Sequence, residues 1–402
     1  MNQNVNDAEE FVYQVCRRSF LSLWSYPNPR GKDANKELCD ILILCDPDVI
    51  IISVKEIGFT NSGNISTDWK RWRKRAIEGS IKQIYGAGRW IQSASHVIRR
   101  DGTQGLPFPE IKRRRIHRVA VALGGDGKIS IRSGNFGKGF VHVFDRTSFS
   151  IILKELDTIM DFVQYLIAKE NIYRPGIKAV FQGGEENLLA LYLHNGCVFP
   201  KNYDRLGIDD TLWEGFKNKE EYKAKKLADE ESYVWDRLLE LISDDVLHGK
   251  LEFGSALSED ESTIRVMARE NRFGRRVLGK AFNEFIGLSS QRKIRSRMTF
   301  SPSGITYVFL AMPHGEDRKF RHAELSGRCF VARGLFKDHK TVVGIATEQY
   351  EPGKGASFDF LCLHKENWAD KDQQQLEFVQ KKCGYFSNPQ QQSGHEDEYP
   401  IN

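Results

Sequence analysis

The chain has 402 residues, 40% of them apolar and 28% charged, which is too long for one ordinary hydrophobic core and too apolar for a disordered or collagen-like chain. Fifty-nine Lys and Arg against 54 Asp and Glu leave a net charge of +5, too mild to name an anionic partner without knowing where the charge sits. Seven scattered cysteines, with no C-x-x-C pair, exclude zinc sites of ordinary spacing and fit a reduced thiol set.

In chain order, the polar, acidic start MNQNVNDAEE lacks the basic and apolar regions of a secretory signal. The most apolar run, Ile41 to Val54, is broken by Asp46-Pro47-Asp48 and falls short of the about 20 residues that span a bilayer, so a cytoplasmic protein without a membrane partner is expected. Phe11, Val12, Val15 and Cys16 predict a helix from Asp7 to Ser19, followed by a short strand from Phe20 to Trp24 and a loop from Arg30 to Lys36. Leu38 to Cys45 and Val49 to Ile57, β-branched and apolar around the Asp46-Pro47-Asp48 turn, predict an antiparallel hairpin. A long helix is expected over Thr67 to Ser93, strands over Ile116 to Leu123 and Phe140 to Phe144, and a helix over Ser148 to Lys169. The first part of the chain therefore reads as a mixed sheet flanked by helices.

Further on, helices are expected over Glu185 to Leu193 and Lys217 to Leu247, with a polar break over Ala256 to Ser262. A helix over Thr263 to Phe285, strands over Thr306 to Ala311, Thr341 to Thr347 and Ser357 to His364, and a helix over Lys371 to Cys383 then make a second α/β unit. The expected domains are 1–175 (α/β), 176–255 (helical connection), 256–386 (C-terminal α/β) and a Gln/Asn-rich, acidic, disordered tail over 387–402. The glycine-rich stretches Gly124 to Gly127 and Gly134 to Gly139 match no nucleotide-binding fingerprint and are expected as turns.

Chemistry concentrates at the hairpin. Strand alternation puts Ser53 and Lys55 on one face, and a short turn brings Asp40 of the first strand beside the end of the second. A carboxylate and an ammonium at the end of an apolar hairpin are costly to bury without partners. Asp40 is suited to hold Mg²⁺ or Mn²⁺ by oxygen, and Lys55 to steady an attacking water or the charge developing on a phosphate. The competing reading is a salt bridge at the rim of a structural hairpin.

This order of helix, strand, Asp-bearing strand, Lys-bearing strand and long helix, over roughly residues 7–125, resembles the PD-(D/E)XK nuclease superfamily. The resemblance implies a restriction-endonuclease-like sheet, with Asp40 as the metal-binding Asp and Lys55 as the motif lysine. Glu9 or Glu10 would be the helix carboxylate, Glu10 being carried forward as a catalytic and metal-binding candidate, and Gln83 the polar residue of the following helix. Ser53 departs from the pattern by standing where the second acid usually lies. Glu37 and Glu56 are nearby, but the first has an odd offset from Asp40 and the second points to the opposite face.

Between Trp69 and Arg118, fourteen Lys and Arg face only three acidic residues. Lys70, Arg71, Arg73, Lys74 and Arg75, with Arg113, Arg114 and Arg115, are the candidate nucleic-acid contacts, a plain solvated face being the alternative. Trp69, Trp72 and Trp90 could stack on bases, although core packing is their first expectation. A second basic cluster, Arg265 to Arg276 and Arg292 to Arg297, could extend a binding track or meet an acidic partner. The expected function is metal-dependent cleavage of nucleic acid, DNA rather than RNA, in a bacterial defence or restriction-type role by analogy. The C-terminal domain would serve self-association or a partner protein. The alternative is an inactive nuclease-fold module that binds nucleic acid or scaffolds an assembly.

Overall fold

The computed structural model describes residues 7–31, 36–125, 132–173, 178–200, 205–251, 257–387, 394 and 396–400. Asp126 and Gly127 of the first glycine-rich stretch, 32–35 of the early loop and 388–393, 395 and 401–402 of the tail therefore lie outside the described residues. Two compact units emerge, 1–222 with 246–258 and 223–245 with 259–402, so the stretch 176–255 is shared between them.

The first unit begins with α1 (Asp7–Trp24), whose buried side chains Val12, Cys16, Phe20, Leu23 and Trp24 keep helical spacing beyond Ser19. The strand expected over Phe20 to Trp24 is thus the end of this helix, interrupted at Leu21, and extended structure starts only with β1 (Ser25–Pro27). The hairpin is β2 (Ile41–Cys45) and β3 (Asp48–Glu56), buried from Ile41 to Val54 apart from the turn residues Asp46 and Pro47. α2 (Ile65–Arg73), capped by the Asn64 side chain, runs through a π-turn (Lys74–Glu78) into α3 (Gly79–Ile91). After the small antiparallel pair β4 (His96–Ile98) and β5 (Gln104–Pro107) come β6 (Arg115–Leu123), β7 (Gly134–Asn135), β8 (Phe140–Phe144), α4 (Arg146–Glu155) and α5 (Ile159–Ile172).

The sheet order is β1-β2-β3-β6-β8-β7, antiparallel at β1/β2, β2/β3 and β7/β8 and parallel at β3/β6 and β6/β8. Continuous apolar runs in β2 and β3 follow from this placement, because inner strands are covered on both faces. Register puts Ile51, Ser53 and Lys55 level with Arg118, Ala120 and Ala122, on the face that α3 covers through Gly88. The opposite face carries His142 and Phe144, with Phe144 against Phe149 of α4 and beneath Lys169 of α5. Helices therefore flank both faces of a mixed α/β sheet.

The former connecting stretch is not purely helical. A parallel pair, β9 (Lys178–Phe181) and β10 (Arg205–Ile208), is interleaved with α6 (Glu185–His194) and followed by α7 (Leu212–Lys217) and α8 (Glu220–Ala228).

The second unit contains most of α9 (Tyr233–Leu247), most of α10 (Leu257–Ala268), and α11 (Arg272–Ser290), the last capped by Asn271. Leu257 to Ser262, expected within a polar break, belong to α10, and the helix expected over Thr263 to Phe285 is interrupted at Arg269 to Asn271, while Ala256 lies outside the described residues. Its four-stranded sheet runs β11 (Ser296–Phe300), β12 (Thr306–Met312), β13 (Thr341–Glu348), β14 (Phe358–His364), with β12 and β13 parallel and joined through α12 (Arg318–Leu335). Leu325, Cys329 and Ala332 of α12 pack on Val308, Leu310 and Met312. Gly344 permits this approach, since a Cβ there would stand 2.5 Å from Cys329 Sγ. On the other face Trp235, Phe282 and Phe285 meet Phe309. α13 (Asp370–Cys383) closes the unit, and the tail docks in part: Glu396 pairs with Lys280, and Arg276 donates to the Asp397 carbonyl. No helix among the described residues is long and apolar enough to cross a membrane.

Candidate active site

Asp40 immediately precedes β2 and is 1% exposed. One carboxylate oxygen accepts the Val54 amide proton across the hairpin, and the other accepts from Gln83 Nε2 at 3.1 Å. Lys55 Nζ lies 3.9 Å from Asp40 Oδ2, its side chain 36% exposed, so the ammonium remains reachable from solvent. Gln83, midway along α3, ties the group together: its Nε2 also approaches Glu37 Oε1 at 3.5 Å, while its Oε1 accepts from Ser53 Oγ at 2.8 Å. Asp40, Ser53, Lys55 and Gln83 are thus brought to one place, on the sheet face that alternation assigns to Ser53 and Lys55. Ser53 is fully buried and spends its hydroxyl proton on Gln83, so it orients the amide.

The nearby carboxyls come from positions that strand alternation cannot reach. Burial pushes the Glu37 carboxyl up to about 7, aided by its hydrogen bond with Asp40 and the Asp40 and Glu9 charges, with Lys55 opposing. Alternation gives no guide to Glu37, because it precedes β2 and stands in an isolated bridge with Arg30. Glu9 is raised by burial and then by Asp40, against the opposing effects of the Asn28 hydrogen bond, Lys55 and Arg100. Glu10 does not join them. It is exposed and accepts from Gln14 one turn on, whereas Glu9 flanks the buried stripe of Ala8 and Val12. Glu56, as expected, points elsewhere, toward Arg146 at 3.8 Å.

The basic residues divide by position. Lys70, Arg71, Arg73, Lys74 and Arg75 are exposed on α2 and the π-turn. Trp72 pins this segment beside the Lys55 end of β3 by donating to the Ile57 carbonyl at 2.7 Å. Arg113, Arg114 and Arg115 sit at the far end of the same strands, because Asp48 is level with Arg115 and Lys55 with Ala122. Seven residues of strand separate the two ends by about 23 Å. There Arg113 pairs with Asp46 at 3.2 Å and Arg115 with Asp48 at 2.7 Å. Arg114 is spent on the carbonyls of Pro109, Ile91 and Ala94. This run therefore braces the β2–β3 turn and does not flank the acidic cluster.

Trp72 is buried with Trp69 stacked on it at 5.4 Å, and Trp90 meets Phe108 edge-on at 6.1 Å. Much of the second basic cluster is consumed internally: Arg272 and Arg275 both meet Asp236 at 2.7 Å, Arg276 meets Asp229 at 3.3 Å and Arg297 meets Glu284 at 2.8 Å, while Arg292 and Lys293 are exposed.

Among the described residues no three of His, Cys, Asp and Glu converge as a metal-binding group. Two carboxyls in hydrogen-bond contact, Glu37 and Asp40, nonetheless fit a hard divalent cation. Oxygen donors suit it, and a cation can relieve the like-charge contact that otherwise favours a proton. Two carboxylates are enough for Mg²⁺, which keeps several water ligands. Comparison with known protein families, curated proteins and solved structures returns no match.

Proposed function

We propose that the chain is a metal-dependent phosphodiester hydrolase acting on nucleic acid, with its catalytic centre at the Lys55 end of the β2–β3 hairpin. The observation that carries this reading is the meeting of Asp40, Glu37 and Lys55 around Gln83. Asp40 and Glu37 would hold Mg²⁺ or Mn²⁺, which when bound supplies positive charge to a phosphate and acidifies a water. Asp40 is pre-aimed by the Val54 amide and Gln83, so its carboxylate loses little freedom on binding. Lys55 would place its partly exposed ammonium against the charge that grows on the phosphate oxygens. Ser53 fixes the rotamer of Gln83 in place of supplying a charged ligand.

The substrate class rests on the exposed cations of α2 and the π-turn, at the same end of β3 as Lys55. They present charge to backbone phosphates, which favours a nucleic acid over a small phosphoester. DNA is the substrate to try first. A defence or restriction-type role stays with the family resemblance, as does assembly through the second unit.

Purified protein incubated with linear, circular and single-stranded DNA, with and without Mg²⁺ or Mn²⁺, tests the reading. Metal-dependent cleavage lost in Asp40→Ala and in Lys55→Ala, with unchanged melting behaviour, supports it. Equal cleavage by both variants removes the site assignment. Metal-independent binding without cutting under any condition supports the inactive module.

A further inference from the structure

On the other side of α3 from Gln83 lies a cation, Arg118, for which no carboxylate among the described residues is a partner. Arg118 of β6 shares the sheet face of Ser53, one strand over and two residues nearer the strand start. Its side chain passes beneath α3 at Gly88, where a Cβ would stand 4.0 Å from Arg118 Nε. The guanidinium then lies against Gly139, where a Cβ would stand 3.0 Å from Nη1 and 3.2 Å from Cζ. Gly139 has φ of 109°, so a side chain at that position would be strained as well as crowded. Gly139 thus leaves a slot that admits the guanidinium, and α3 passes over the same side chain at Gly88 in ordinary van der Waals contact.

The slot is braced. Tyr85 Oη donates to the Gly139 carbonyl at 2.7 Å and accepts from the Lys138 amide at 3.4 Å. Asn135 Oδ1 accepts from the Gly137 amide at 2.9 Å and the Gly139 amide at 3.4 Å, which fixes the loop. The amides of Gly137, Lys138 and Gly139 are therefore occupied, which leaves ligand contact mainly to the side chains. Lys138 is exposed at the loop tip, and Arg89 is exposed one turn after Tyr85 on the same stripe of α3. Among the described residues neither these two nor Arg118 has an ion-pair partner.

A half-buried guanidinium is costly when unpaired, and a planar fork of donors matches a tetrahedral oxyanion.

We propose that the slot between α3 and the Gly134–Gly139 loop is a phosphate-binding subsite, with Arg118 as its floor and Lys138 at its mouth. Its ligand is a phosphate group, carried by a nucleic-acid chain end, a chain interior or the free ion. The subsite stands whether or not the acidic cluster cuts, since α3 lies between the two.

The test is calorimetric titration of the full chain with inorganic phosphate, followed by binding of one single-stranded oligonucleotide with and without a 5′-phosphate. Saturable phosphate binding is expected, weakened about tenfold in Arg118→Gln, the scale of a lost charge-assisted hydrogen bond, and about threefold in Lys138→Ala. Asp40→Asn is expected to bind phosphate like the parent, which separates this subsite from the hydrolase reading. A preference for the 5′-phosphorylated oligonucleotide that disappears in Arg118→Gln assigns a chain end. Equal weakening of both oligonucleotides assigns a chain interior, and weakening for inorganic phosphate alone assigns the free ion. Lys138 is exposed, so its variant keeps the test valid if Arg118→Gln unfolds. No saturable phosphate binding by the parent, or parental affinity in the variants that fold, overturns the proposal.

Discussion

Glu9 and Glu10 are neighbours in sequence, yet a turn of about 100° between adjacent helical residues sends one toward Asp40 and the other to water. Glu9→Gln is expected to weaken Mg²⁺ binding about tenfold in calorimetry, while Glu10→Gln leaves it unchanged. Equal effects would mean that α1 takes no part in the site. Ser53 offers a complementary probe. Its hydroxyl is 2.8 Å from Gln83 Oε1 on the face that Asp40 shares, so Ser53→Asp places a third carboxylate beside the pair. Tighter Mg²⁺ binding with a lower melting temperature in metal-free buffer is the expected result. Unaltered binding would show that Ser53 is screened from the cation by the amide.

At the level of elements, α2 with its π-turn and the segment before β6 carry similar runs of basic residues and do opposite things. Exposed cations on α2 remain available to phosphates, whereas Arg113, Arg114 and Arg115 are tied to the β2–β3 turn and to main-chain carbonyls. Replacing Arg71, Arg73 and Arg75 together with Ala is expected to flatten the log–log salt dependence of duplex binding by roughly one unit per lost contact, each phosphate contributing about −0.9. Parental affinity and slope in that triple variant would reduce α2 to a solvated face. Arg114→Ala instead is expected to lower stability by about 1–3 kcal/mol in urea titrations without changing the slope, because it leaves the carbonyl of buried Pro109 without its donor.

Across the whole molecule, the charge that composition alone leaves unplaced is sorted between the two units. In the second unit, burial opposes ionisation of Asp236, but Arg275 and Arg272 outweigh it and hold the carboxyl below the usual carboxylate range. The sign follows from the depressed folded-state value. This contribution is fully present above the ordinary carboxylate pKa of about 4 and is lost as pH falls through the lower folded value. Thermal unfolding of the second unit between pH 7 and 3 is expected to show that loss, and Asp236→Asn to flatten the acid limb. A profile unchanged by Asp236→Asn would assign the acid sensitivity to other groups. Asp236→Ala at neutral pH is expected to cost about 3–5 kcal/mol, since two nearly buried guanidinium groups lose their common partner.

What the amino-acid order determined by itself is the hairpin, the long helix after it and the meeting of Asp40, Ser53 and Lys55, while Gln83 entered only through the family resemblance. Those follow from alternation in strands, helical periodicity and short connections, which are local rules. Only tertiary structure decided the rest. Glu37 reaches Asp40 from outside any regular element, where no periodicity applies. The helix α12 shows no clean helical period in the sequence because Arg321, Arg328 and Arg333 lie on its buried side, so its apolar stripe is interrupted by charges whose partners come from distant segments or from the helix itself. The Arg113 to Arg115 run resembles a binding face in sequence, but register places it at the opposite end of β3. A charged residue has the same letter whether it meets solvent, a phosphate or a buried carboxylate, and the choice among them is made by partners far along the chain.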